Sequence, residues 1–455
     1  MSYMPIVLLL ICILFIVVST TKLNLHAFLA LLIAAIFFGI CSGMPLADVV
    51  KNIEDGFGGT LGKIGIVIIA GTIIGTFLEK SGGAYSLAES ILKVIGKKNV
   101  TPAMALIGYI VSIPVFADSG FVILTPLNKT LTKRAGLSLA TTSIALALGL
   151  MITHCLVPPT PGPIAAAGIL GADLGLVILF ALIVSGFTLL FAWFWASKIA
   201  SRVFIDPNPE LTEEAFAERL KSAPSAFKAF LPILVPILLI VSRSFADFLT
   251  PSSAEGVLHP FRETTTYQFI NFIGAPLIAL LIGIAISITL PKKFDKAILS
   301  STGWVGEGML AAAIIIMITG AGGAFGMVLR GSGVADLIGN KLSSPALGLW
   351  LPFIAAAAIR TAQGSSTVAI MTTAPILAPM LANMGLDSSF GRVLCVLALG
   401  AGAMFGSHAN DSFFWVVTQM TGMDVKTGYK LYTTGTILMG IFSCTIIWII
   451  GLIVL

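Results

Sequence analysis

The sequence predicts an all-α polytopic membrane protein of two inverted repeats, with about ten transmembrane helices and two re-entrant helical hairpins. Three observations predict it. Of 455 residues, 57% are hydrophobic and only 10% charged, where a soluble chain carries about 25% charged residues. Apolar runs of about 16–25 residues recur along the whole length, each close to what a bilayer crossing needs. The same order of elements then appears twice. Gly71, Gly75, Leu78, Ser81, Gly82, Ala84 and Leu87 match Gly322, Gly326, Leu329, Ser332, Gly333, Ala335 and Ile338, all offset by 251 (322 − 71 = 251).

Composition also excludes classes of function. A net charge of +5, spread over loops, implies no nucleic-acid partner. Cys12, Cys41, Cys155, Cys395 and Cys444 lie in apolar runs without C-x-x-C spacing. They read as small hydrophobes, so neither a metal nor a cofactor is expected. The first basic residue is Lys22. The apolar run before it therefore lacks the basic start of a signal peptide and reads as the first span.

In chain order, spans one and two fall at about 4–20 and 27–42. A polar loop is expected next, ending in the glycine-rich Gly56–Gly62, with span three at about 61–78. Ala84–Ile95 reads as an amphipathic interfacial helix, with Leu87, Ile91, Leu92 and Ile95 on one face. Residues 102–133 form two arms too short to span, so they read as a hairpin with its tip at Ala117-Asp118-Ser119-Gly120. Span four runs from Leu137 to His154 and is broken through Val157–Pro163, where four prolines remove backbone donors. Span five is about 174–196, and a charged linker covers 201–228.

The second half repeats the plan. Spans six, seven and eight fall at about 229–245, 269–290 and 305–328, followed by a short amphipathic segment at 334–342. A second hairpin, 346–384, has its tip at Gln363–Thr367. Span nine starts at Arg392 and is broken at Gly406–Ser412, and span ten is about 432–454. Met151 and His154 match Met404 and His408. Five spans per copy is an odd number, so the second copy enters from the opposite side, the pattern of a secondary transporter with its site at the repeat interface. Placing the linker inside puts eighteen of 26 basic residues on the cytoplasmic face and seven outside, in keeping with the positive-inside rule. The first hairpin then enters from the cytoplasm, the second from outside, and both termini lie outside.

Candidate site residues sit at the four breaks, which are expected to converge near the midplane. Arg360 is the sharpest signal, because a charge at that depth faces a cavity or an anionic partner. Its planar fork suits a carboxylate; the other reading is that it only braces Asp411 or a carbonyl. Gly364 breaks the apolar pattern beside it. Hydroxyls and amides at Ser119, Thr160, Gln363, Ser365, Ser366, Thr367, Asn410 and Ser412 suit a ligand with several hydroxyl groups. Asp118, His154, His408 and Asp411 are the titratable groups at the breaks and so the candidates for carrying a proton. Asp118 is the first choice, although it also fits a helix cap. Sodium could use the same oxygens.

These segments carry a resemblance. Ile113–Phe121, His154 with Val157–Pro163, Thr319–Gly326, Arg360–Ala369 and Ser407–Trp415 resemble the signature blocks of the gluconate:proton symporter family, in order from His26 to the end. The resemblance implies a bacterial inner-membrane importer of gluconate, a related sugar acid or D-serine. It also implies an elevator mechanism, with 61–200 and 305–455 as the moving transport part, 1–60 and 229–304 as a scaffold, and a homodimer. The family's first tip commonly reads Phe-Phe-Asp/Glu-Val, whereas this chain has Phe116-Ala117-Asp118-Ser119, which implies a roomier, more polar pocket. The reading is proton symport of a small hydroxycarboxylate across the lipid bilayer. A sodium-coupled or D-serine type carrier is the alternative, followed by a channel. A membrane enzyme is disfavoured because no nucleophile–base pair or metal-spaced ligand set is visible.

Overall fold

The structure, a computed structural model, describes residues 4–21, 23, 25–96, 99–207, 221, 223–250, 260–332, 348–408 and 411–455. Among them the regular elements are all helical. The first half holds α1 (Met4–Thr21), α2 (Ala27–Cys41), α3 (Leu46–Lys80), α4 (Gly83–Ile95), α5 (Val100–Val111), α6 (Ala117–Arg134), α7 (Leu139–Leu156), α8 (Pro161–Leu170) and α9 (Leu174–Lys198). The second half holds α10 (Ala226–Leu249), α11 (Thr265–Ile273), α12 (Pro276–Ser287), α13 (Trp304–Gly331), α14 (Trp350–Gln363), α15 (Ser366–Leu377), α16 (Ser389–Met404), α17 (Ser412–Thr421), α18 (Val425–Gly428) and α19 (Thr434–Val454).

Five helical stretches among the described residues are long and apolar enough to cross a membrane, seven when each bent pair counts as one span. The other expected spans, α1, α2 and α16, are shorter apolar helices. The expected amphipathic segment 334–342 lies outside the described residues, as do 208–220 and 222 of the linker.

Two compact units form, each from separate stretches: Met1–Ile68, Pro161–Ala172 and Ala311–Leu455 in the first, Ile69–Thr160 and Asp173–Leu310 in the second. In the second, α7 is buried along nearly its whole length and packs chiefly on α5. A Cβ on Gly149 would lie 2.2 Å from the Ala105 carbonyl, and one on Gly108 would lie 2.5 Å from that of Leu146. In the first unit, α16 is buried along the same kind of small-residue helix and packs on α14. There a Cβ on Gly402 would lie 2.3 Å from the Phe353 carbonyl. Without a hydrophobic drive between helices in lipid, such close backbone contact supplies the attraction.

Residues 46–60, expected as a loop, are helical. Their glycines do not end the helix; they admit a neighbour. Within the first unit, a Cβ on Gly56 would lie 2.5 Å from Gly323 O, one on Gly323 2.0 Å from Thr60 Oγ1, and one on Gly331 3.0 Å from Asn52 Nδ2, so α3 and α13 run antiparallel. Within the second unit they do so again, with Gly308 against Ile73 and the Phe77 and Trp304 rings 5.3 Å apart.

Four other expected boundaries move. The first hairpin turns at 112–116, around Pro114, and Asp118 lies in the first turn of α6 and not in the break. The proline break shrinks to 157–160, because Pro161 and Pro163 begin α8, where a missing N–H costs no helical bond. The second tip is only Gly364 and Ser365. Span seven is two helices, α11 and α12, bent by 64° at a break closed by Pro276.

The expected amphipathic pattern of α4 is present, with Leu87, Ile91 and Leu92 buried, Ile95 half-buried and the Lys93–Glu89 pair on its outer side. It packs against α5 and α10.

Candidate functional site

In the first unit, α14 ends because Gly364 takes a left-handed conformation, φ +88°, and donates its N–H to the Arg360 carbonyl at 2.9 Å. Ser365 then caps α15, accepting from Val368 N at 3.3 Å. Arg360 therefore sits in the last turn of α14, at the end of a helix dipole that favours a cation. Its side chain is 1% exposed.

The second break brings it a partner. Asp411 caps α17, accepting from Phe413 N at 3.1 Å through Oδ1. Its Oδ2 stands 2.5 Å from Arg360 Nη2 and also accepts from the Ser407 hydroxyl. Accepting on both oxygens suits an ionised carboxylate, which has no hydrogen to give. The pair realises the bracing role weighed for Arg360, yet does not exhaust the guanidinium. Among the described residues, Arg360 Nε and Nη1 have no hydrogen-bond partner although both are buried. Those nitrogens carry three of the five N–H hydrogens.

A support layer holds the pair in place. Thr433 donates to the Ser407 carbonyl at 2.6 Å, Ser407 N donates to Thr436 Oγ1 at 3.2 Å, and Thr436 donates to the Thr433 carbonyl at 2.8 Å. Thr433 closes a π-helical turn, Tyr429–Thr433, just before α19; such turns concentrate at functional sites. His408 Nε2 stands 2.9 Å from the Thr361 carbonyl, which fixes the proton on that nitrogen. Sequence reasoning did not select Ser407, Thr433 or Thr436 as candidates. Ser407 lay within the expected break at Gly406–Ser412, whereas Thr433 and Thr436 carry no signal beyond polarity inside an apolar run.

The remaining candidates of this unit are less central. Ser366 is buried and Thr367 half-buried in the first turn of α15, while Ser412 is exposed at the start of α17. Asn410 and the side chain of Gln363 lie outside the described residues. α8 packs on α15 and α16, and a Cβ on Gly162 would lie 2.9 Å from Ile370 Cδ1 and 3.8 Å from Thr367 Cα.

In the second unit, the two breaks lie along one face of α3. Gly71 faces the Pro159 carbonyl at 3.0 Å and Gly75, one turn on, faces that of Pro114 at 2.1 Å, both measured from a Cβ that glycine lacks. The His154 ring lies 6.1 Å from that of Phe116, just before Asp118 and Ser119, both half-buried. Thr160 gives its hydroxyl to the Val157 carbonyl at 2.7 Å, leaving it only acceptor capacity for a ligand.

Among the described residues, no three His, Cys, Asp or Glu side chains group closely enough to hold a metal. An open cavity of about 610 Å³ in the first unit is lined by Ser42, Asp48, Lys51, Asn52, Asp55 and Ser332. It contains none of the candidates. The buried guanidinium marks the chemistry better than cavity size does, since a charge is kept out of water only where something compensates it.

Known proteins resemble this chain over nearly its whole length. The GntP family permease profile matches residues 4–453. Among relatives, a gluconate permease of Pseudomonas aeruginosa is 37% identical over 447 residues, covering 96% of this chain and 95% of its own. The D-serine transporter DsdX of Escherichia coli is 33% identical over 441 residues, covering 96% and 95%. The solved structure of the Alcanivorax borkumensis YdaH transporter shares the fold, with a TM-score of 0.64, 15% identity, and coverage of 93% of this chain and 98% of that one. With the family matched over nearly its whole length, the chain belongs to the GntP family permeases and is an integral membrane protein.

Proposed function

We propose that this permease imports gluconate or a related small hydroxycarboxylate with protons, by alternating access, across a bacterial inner membrane. The observation that carries the reading is Arg360: a guanidinium 1% exposed, with Asp411 on one nitrogen and the other two unengaged among the described residues. An unsatisfied buried charged donor is costly, and an anion able to accept two hydrogen bonds removes that cost. The first turn of α15 adds backbone N–H groups and the hydroxyls of Ser365, Ser366 and Thr367, suited to a polyhydroxy acid. The relatives are named for gluconate and D-serine, each a small molecule carrying both a carboxylate and a hydroxyl. Asp118, His154, His408 and Asp411 are the groups available for coupling.

Alternating access is supported by the reciprocal pairing of α3 with α13. Gly56 meets Ala324 in one unit and Ile73 meets Gly308 in the other. Adding 251 to one member and subtracting it from the other nearly exchanges the two pairs, so the internal repeat of the sequence extends to how α3 meets α13 within each unit. The elevator division, with 61–200 and 305–455 moving against 1–60 and 229–304, and a homodimer, belong to the same proposal. The D-serine relative favours one second reading, an amino-acid carrier using the same carboxylate contact.

The test is uptake of labelled gluconate into proteoliposomes under an inward proton gradient, with D-serine and threonate as competitors. Saturable uptake that a protonophore abolishes is expected. Uptake that follows sodium and ignores the proton gradient would overturn the mechanism, and displacement by D-serine alone would move the substrate to the second reading.

A smaller effect is expected behind the ion pair. Thr433→Val removes the hydroxyl that holds Ser407, with loss of one buried hydrogen bond worth about 1–3 kcal/mol. The KM for gluconate should rise about tenfold with maximal rate nearly unchanged, and Thr433→Ser should restore it, tenfold being roughly 1.4 kcal/mol.

A further inference from the structure

Before a substrate arrives, the charges of Arg360 and Asp411 cancel, and both side chains are at least nine-tenths buried. The groups facing Asp411 add no further charge partner among the described residues. The break contributes Ser407, and His408 has its Nε2 on the Thr361 carbonyl. The turn before α19 reaches the break through Thr433, on the Ser407 carbonyl, while its Tyr432 ring meets that of Phe413; α19 carries no charged residue, and Arg392 lies in the first turn of α16, at the opposite end from the break. A carboxylate substrate entering this neutral site brings one uncompensated negative charge. An unpaired buried charge costs several kcal/mol, so the site accepts the anion only if one positive charge enters with it.

We propose that Asp411 carries that charge: it takes up one proton as the substrate carboxylate replaces it on Arg360, fixing a ratio of one proton per carboxylate. No covalent bond between heavy atoms changes. The proton comes from the solution on the loading side, resides on an Asp411 oxygen freed from Arg360, and leaves when the substrate departs and the ion pair re-forms. Ser407 can rotate its hydroxyl from donor to acceptor, so the protonated acid keeps a partner. The inference rests on the carboxylate–proton reading above.

The experiment uses the full chain in proteoliposomes, with labelled gluconate and a trapped pH dye, comparing wild type with Asp411→Asn. Wild type should acidify the lumen by one proton per gluconate. Asp411→Asn mimics the protonated acid permanently. It should keep gluconate counterflow with a KM lowered about tenfold, since the competing carboxylate is gone (about 1.4 kcal/mol), while acidification and proton-driven accumulation vanish.

Acidification retained by Asp411→Asn would overturn the assignment, as would loss of counterflow in a variant whose thermal unfolding matches wild type. If Asp411→Asn does not fold, Asp411→Glu is read instead. It must keep the one-to-one ratio and shift the pH of half-maximal uptake, and an unshifted profile overturns the proposal. Wild-type uptake without any proton movement would sink the underlying reading itself.

Discussion

Arg360→Gln is expected to cut carboxylate uptake by at least about a hundredfold, since removing one partner of a buried charged pair costs roughly 2–5 kcal/mol. Two losses combine. The substrate carboxylate loses the three N–H hydrogens of Nε and Nη1, and Asp411 is left buried with only Ser407 and the Phe413 amide. Arg360→Lys should do little better, because an ammonium on a flexible stem lacks the planar fork that grips a carboxylate through two parallel N–H bonds. The double variant Arg360→Gln/Asp411→Asn separates the two losses: thermal stability should return towards wild type while uptake stays lost. Uptake within about threefold of wild type in Arg360→Gln, a difference below roughly 1 kcal/mol, would show that the guanidinium only braces the fold.

Gly402→Val and Gly149→Val should each destabilise the protein strongly. The added Cβ would meet backbone, 2.3 Å from the Phe353 carbonyl and 2.2 Å from that of Ala105. No side chain can rotate away, so α16 must part from α14, or α7 from α5. Overpacking of this kind costs about 1–3 kcal/mol where side chains can yield, and here the yielding element is a helix. Thermal unfolding in detergent should show a large fall in midpoint for both. Gly59→Ala is the contrast. Its Cβ meets nothing within 4 Å, on an exposed position inside α3; replacing a helix-interior glycine there should gain about 0.5–1 kcal/mol.

How much of this was legible before the structure varies by residue. Arg360 was legible because a charge in an apolar run has few explanations. Asp411 was legible only as one of two groups that Arg360 could brace, the other being a carbonyl, because the two residues lie 51 positions apart and nothing local pairs them. The helical breaks were legible as regions, but their limits were not, because proline and glycine have two uses. Pro161 reads as a breaker yet starts α8, where its fixed φ suits the first helical position. Gly56 and Gly59 read as a loop yet lie within α3, because in lipid a helix keeps its internal hydrogen bonds whatever its propensity. Asp118 looked like a hairpin tip because it is the polar residue of its segment. Pro114 decides the turn, and Asp118 falls where the first turn of α6 favours an acid. Ser407, Thr433 and Thr436 act through one another across about 29 residues, a relation that no local pattern encodes.

The first unit is assembled from residues 1–68, 161–172 and 311–455, and that discontinuity imposes a timetable on biosynthesis. Gly56 and Thr60 leave the ribosome well over two hundred residues before Gly323, the backbone they are shaped to meet. At about 5–20 residues per second, the wait lasts some tens of seconds. During that time the glycine face of α3 has no partner of its own. The insertion machinery, lipid or the newly made neighbours must occupy it. A chain stopped before residue 311 should therefore be cleared by membrane proteases rather than accumulate as half a permease.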